Sequence, residues 1–78
     1  MNRLEILYKV NEVFIDILDD EDIVIDEQTT ADDVEDWDSL THIQLVVGIE
    51  KAFGIRFTSQ EIQSWQNVGE MISCIKSK

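Results

Sequence analysis

With 78 residues, the chain makes one small domain, residues 1–78, near the lower limit for a fold held by its core alone, and leaves no room for an enzyme's own substrate cleft. Its 44% hydrophobic content is enough to fold, while a net charge of −11 excludes nucleic-acid or anionic-membrane binding, which need clustered Lys and Arg. No apolar run approaches the roughly 20 residues of a membrane span, and Glu5, Lys9 and Glu12 interrupt any signal-type apolar segment, so the expected location is the cytoplasm.

From the N-terminus, Leu4, Leu7, Val10, Phe14 and Ile17 recur at helical steps, and Ile6, Val13 and Leu18 widen the stripe. This spacing predicts an amphipathic helix from Asn2 to Leu18, with Asn2 as N-cap and Glu5 completing a capping box. The acids Asp19 to Asp22 end it, and no basic residue occurs between Leu18 and Asp38. An acidic loop of this length needs anchors inside a small domain. Ile23, Val24, Ile25, Val34 and Trp37 are the candidates. A calcium loop does not fit, because such a loop needs a central glycine and none precedes Gly48.

A second helix is predicted from Asp38 or Ser39 to Phe53, closed by Gly54. On a helical wheel Leu45, Val46, Ile49, Ala52 and Phe53 form the core face, and Thr41, Gln44, Gly48 and Lys51 the wet face. Leu40, Ile43 and Val47 form a second apolar sector. Two explanations stay open: cover by Val34 or Trp37, or exposure as a docking patch. Ile55 to Phe57 reads as an extended connector, Thr58 or Ser59 as the cap of a brief helix from Gln60 to Trp65, and Asn67 as the cap of a last helix. That helix places Val68, Met71, Ile72 and Ile75 on one face, with Lys76 and Lys78 near the negative end of its dipole. Cys74, the lone cysteine, excludes an internal disulfide and reads as a small buried hydrophobe. The fold class is all-α, with a long acidic loop between the first two helices.

Ser39 stands in the first turn of the second helix, where free N–H groups and the dipole favour negative charge. Asp38 is itself a good cap and leaves Ser39 free at the first helical position. Asp38, Ser39 and His42 do not form a hydrolytic triad, because side chains within one helical turn do not aim base at hydroxyl. His42 is expected to be partly buried near a pocket mouth.

Asp38-Ser39-Leu40 opening a helix that ends Glu50-Lys51-Ala52-Phe53-Gly54-Ile55, followed by Glu61-Ile62 and Asn67 to Ile72, resembles an acyl carrier protein over essentially the whole chain. The resemblance implies a four-helix bundle that is a carrier rather than an enzyme. It implies a 4′-phosphopantetheine arm, drawn from coenzyme A, on Ser39, with Asp38 as the flanking motif residue and acyl groups held as thioesters. It places Leu40, Val47 and Glu50 at partner contacts, and Leu45, Ile49, Ile62, Trp65 and Val68 around an acyl pocket. The implied partners are a phosphopantetheinyl transferase, an acyl-loading ligase or acyltransferase, and acyl-processing enzymes with basic surfaces, met by a monomer. Gln44 and Lys51 stand where such carriers are often acidic, and Trp37 where a small residue is common. These departures point to a dedicated carrier in a secondary-metabolite or polysaccharide-modifying pathway, with fatty-acid biosynthesis also open. The competing class is an acidic helical interaction module without a prosthetic group.

Overall fold

A computed structural model describes residues 1–78. Four helices follow in order, α1 (Arg3–Leu18), α2 (Ser39–Phe53), α3 (Ser59–Ser64) and α4 (Val68–Lys76), with a 3-10 turn at Ala31–Asp33 in the loop between the first two. Each helix begins on a side-chain cap. Asn2 and Glu5 make the predicted capping box on α1, Asp38 caps α2, Thr58 and Glu61 make a box on α3, and Asn67 caps α4. Four N-termini that would each leave donors unpaired are thereby specified by residues adjacent in sequence. Gly54 closes α2 at φ 66°, in the left-handed region that suits glycine.

The buried face of α1 is Ile6, Val10, Phe14 and Leu18, a clean four-residue stride. Leu7, Val13 and Ile17 flank it partly buried. Leu4 is a correction to the predicted stripe, for it lies outside this stride and is 74% exposed. Helices α2 and α4 both pack on α1. Lys9 lies over the Phe53 ring while Val13 and Ile17 lie against Gly48, so α1 and α2 run antiparallel. Gly48, expected on the wet face, instead faces α1: a Cβ there would sit 2.9 Å from Val13 Cγ1. Its missing side chain lets the two helices approach.

The acidic loop is tied down at several points. Ile25 and Trp37 are buried in the core, and Ile23 and Val34 pack partly buried against it. Asn11 holds the entry strand on both sides, donating through Nδ2 to the Ile23 carbonyl (3.3 Å) and accepting from the Ile25 N–H (2.8 Å). Val24, expected as an anchor, points outward and is 88% exposed, because extended backbone sends alternate side chains to opposite sides. Further along, the first two N–H groups of α4 donate to the loop, Val68 to the Thr29 carbonyl and Gly69 to the Glu27 carbonyl, both at 2.9 Å. Arg3 closes the same junction: it pairs with the Glu27 carboxylate and donates to Ser73 Oγ (2.9 Å) and the Gly69 carbonyl (3.0 Å). Its hydrogen bonds hold Glu27 below the usual carboxylate range.

Gly69 is tight against backbone, since a Cβ there would lie 2.9 Å from the Glu27 carbonyl oxygen. Backbone cannot swing away as a side-chain tip can. Gly69→Ala is therefore expected to lower stability by about 1–3 kcal/mol, an overpacking cost that outweighs alanine's better helix propensity. Urea unfolding followed by circular dichroism measures it; a variant as stable as the parent contradicts the close approach.

Candidate functional site

The start of α2 is built by Asp38. Its Oδ1 accepts from the Leu40 and Thr41 N–H groups, both at 2.9 Å, and Thr41 Oγ1 returns the bond by accepting from the Asp38 N–H at 2.8 Å. Thr41 N–H, ahead of the Leu40 bond, holds the Asp38 carboxyl below its ordinary range. Ser39 is exposed at the first helical position, and its hydroxyl is not needed for the cap. Glu35, Asp36 and Asp38, all exposed, make the approach to Ser39 negative.

Beside Ser39 runs an open groove of about 520 Å³ between α2 and α3. Trp37, His42, Ile43, Ile62 and Trp65 line it together with the polar side chains of Gln63 and Gln66. Its three rings are the middle of a longer series that runs on to Phe14 and Phe57. Phe14 and Trp37 meet edge to face at 5.0 Å, Trp37 stacks on His42 at 6.0 Å, His42 meets Trp65 at 6.1 Å, and Trp65 meets Phe57 at 4.8 Å. The Trp37 indole N–H donates to His42 Nδ1 at 3.1 Å. An indole nitrogen has no lone pair to offer, so Nδ1 is the acceptor and the imidazole proton sits on Nε2, which donates to the Ile62 carbonyl at 3.3 Å. Through His42 the loop, α2 and α3 are joined. Trp37 thus anchors the loop, as expected from its place among the apolar residues of that segment, and also walls the groove, a role the sequence did not reveal.

The apolar sector of α2 is open: Leu40 is 70%, Ile43 54% and Val47 43% exposed. Neither Val34 nor Trp37 covers it, because both turn inward to the core. Glu50, on the same helix, is half-buried, and its Oε2 accepts from the Phe57 N–H at 2.9 Å. Of the residues expected around an acyl pocket, Ile62 and Trp65 line the groove, while Leu45, Ile49 and Val68 are fully buried in the core. Ala52 and Phe53 are partly buried rather than central. His42 is half-buried at the groove, as its position in the second helix led us to expect.

Helix α3 has six residues and no fully buried one, so it depends on bonds from outside. Lys78 reaches back to Glu61 (2.8 Å) instead of resting on its own helix end, and Cys74 Sγ donates to the other oxygen of Glu61 (3.4 Å). Cys74 is half-buried rather than fully buried, and burial, followed by the Glu61 contact, keeps its thiol above the ordinary range. Lys78 first, and then the Thr58 N–H, push the Glu61 carboxyl from the ordinary 4.5 down to about 2.

Sequence comparison adds an independent finding. A family model described as a phosphopantetheine attachment site matches residues 9–75. An acyl carrier protein of Thermosynechococcus vestitus is 32% identical over 79 residues, covering 100% of this chain and 96% of the relative. One from Rubrobacter xylanophilus is 34% identical over 76 residues, covering 96% and 93%. The solution structure of a holo acyl carrier protein from Geobacter metallireducens superposes with a TM-score of 0.86 at 35% identity, over 92% of this chain and 83% of that one.

The Glu61 clasp has a pH signature. A carboxyl depressed by folding stabilises fully above its ordinary value and loses that contribution as pH falls through its folded value. The melting temperature is therefore expected to drop between pH 4.5 and about 2 more steeply in the parent chain than in Glu61→Gln. Parallel pH profiles of the two proteins contradict the clasp.

Proposed function

The chain belongs to the acyl carrier protein family, which bears covalently attached phosphopantetheine and carries rather than catalyses, and we propose that Ser39 is its attachment residue. The observation that carries this is the division of labour at the start of α2: Asp38 makes the cap, and Ser39 presents a free hydroxyl at an anion-tolerant helix end. In the attachment step Ser39 Oγ loses its proton and bonds to the phosphorus of the pantetheine phosphate, as the bond to the adenosine bisphosphate of coenzyme A breaks. The attached group supplies a terminal thiol on which an acyl group is held as a thioester. Asp38 orients the serine and offers charge to the transferase. Glu35 and Asp36 add to an approach suited to a basic enzyme surface.

Leu40 and Val47, with Ile43 between them, offer an exposed apolar landing surface that begins beside Ser39 and extends about two turns along α2. Glu50 borders it, with one carboxylate oxygen engaged by Phe57. A partner that loads or processes the acyl group docks here, its apolar contact ringed by basic residues. The acid lies mainly in the loop, while α2 carries Lys51 and the uncharged Gln44. That distribution supports a dedicated carrier with its own cognate enzymes, in secondary metabolism or polysaccharide modification ahead of general fatty-acid synthesis. No helix is long and apolar enough to cross a membrane. A monomer working in the cytoplasm fits this reading.

Intact mass spectrometry after incubation with coenzyme A and a broad-specificity phosphopantetheinyl transferase is expected to show one phosphopantetheine adduct, absent from Ser39→Ala. An unmodified parent chain, beside a control carrier that is modified, would falsify the assignment. Val47→Glu is expected to keep the parent's helical content and accept the arm, yet lower acyl transfer from the cognate loading enzyme by about tenfold, as loss of an interface anchor does. Unfolding of that variant would instead make Val47 a core residue.

A further inference from the structure

The groove beside Ser39 is unlike the core beyond it. Leu45, Ile49, Val68, Met71 and Ile72 are all at 0% exposure, so the space between α2 and α4 is filled. Between that core and the groove stand Trp37, His42 and Trp65, with His42 in contact with both tryptophans and tied by the indole-to-imidazole and imidazole-to-Ile62 bonds. A flexible alkyl chain entering the core must break both bonds and displace packed side chains. A chain left in the groove faces water on its open side and the amides of Gln63 and Gln66 along the wall, so its methylenes gain little. A flat ring has a different balance: it meets indole and imidazole rings with the geometry aromatic pairs favour, and tolerates amides at its edge.

We propose, resting on the carrier reading above, that this groove is the holding site for the cargo and that the cargo is a short acyl group ending in an aromatic ring, laid against Trp65 and His42. Trp65 is the specificity-determining residue. It is only partly buried, so part of its surface is available to a ligand, whereas Trp37 is committed to the core. Gln63 and Gln66 line the same groove, where their amides can donate and accept hydrogen bonds.

The chain's two tryptophans both line the groove, so each indole N–H is a resonance that reports on it. The test uses the full chain loaded on Ser39 with benzoyl-, butyryl- or decanoyl-phosphopantetheine, each transferred from the matching coenzyme A thioester. Two readouts follow each form: nitrogen–proton and methyl NMR spectra, and the rate at which hydroxylamine cleaves the thioester, taken relative to the same acyl group on free coenzyme A because ring conjugation makes a benzoyl thioester intrinsically less electrophilic than a butyryl one. The benzoyl form is expected to shift the Trp65 indole resonance and to be cleaved about threefold or more slowly than the butyryl form, the size of one aromatic pair. The decanoyl form is expected to leave the methyl resonances of Leu45, Ile49 and Val68 in place. Trp65→Phe should keep the protection and Trp65→Leu should lose it.

Shifted core methyls in the decanoyl form would overturn the proposal, as would a benzoyl form that leaves the Trp65 indole unmoved or is cleaved as fast as the butyryl form. Should Trp65→Leu fail to fold, the parent-chain spectra decide alone. Mass spectrometry keeps the two levels apart: no adduct on Ser39 defeats the carrier reading and this one with it, whereas an adduct without the indole shift defeats this one only.

Discussion

The fold turns on how a long, uniformly acidic segment is held against a small core. Its own side chains repel one another, and it contains no cation to relieve them. Arg3 supplies the missing charge from the first turn of α1, and the first two N–H groups of α4 take the Glu27 and Thr29 carbonyls as acceptors. One junction thereby satisfies the N-terminus of α4, neutralises an acid of the loop and brings both ends of the chain together. With that junction in place, Ile25 and Trp37 enter the core, and Trp37 sets the position of His42 and, through it, α3.

The consequence reaches the surface around Ser39. The groove is not a gap left between packed helices; Trp37, His42 and Trp65 in its wall also hold the fold together. With Phe14 and Phe57 behind them, these rings belong to α1, the loop, α2, the end of α3 and the connector. Five parts of the chain meet in one row of rings, so the groove's shape depends on the whole domain rather than on one element.

What the sequence made legible was local. Every helix start was marked by a residue whose partner lies three or fewer positions away, and Gly54 marked an end through its own backbone. The Asp38-Ser39 pair, its separated roles and the apolar sector of α2 could be read the same way. What stayed hidden depended on partners far along the chain. Gly48 looked like a wet-face residue until α1 lay across it, Val24 like an anchor until the direction of its strand was fixed, and Leu4 like core until the stride of α1 had chosen its side. The bond from Lys78 to Glu61 joins residues 17 positions apart, and that from His42 to the Ile62 carbonyl joins residues 20 apart, so neither has a pattern a single segment could display. The expected pocket mixed groove and core, because Ile62 and Trp65 share an apolar character with Leu45, Ile49 and Val68 but not their depth.

The cap at α2 has one more consequence. Because Asp38 alone satisfies the Leu40 and Thr41 N–H groups, a group added to Ser39 Oγ takes no hydrogen bond away from the helix, and its later removal returns none. Derivatisation at that oxygen leaves the Asp38 cap intact, so α2 can begin at the same residue with or without the added group.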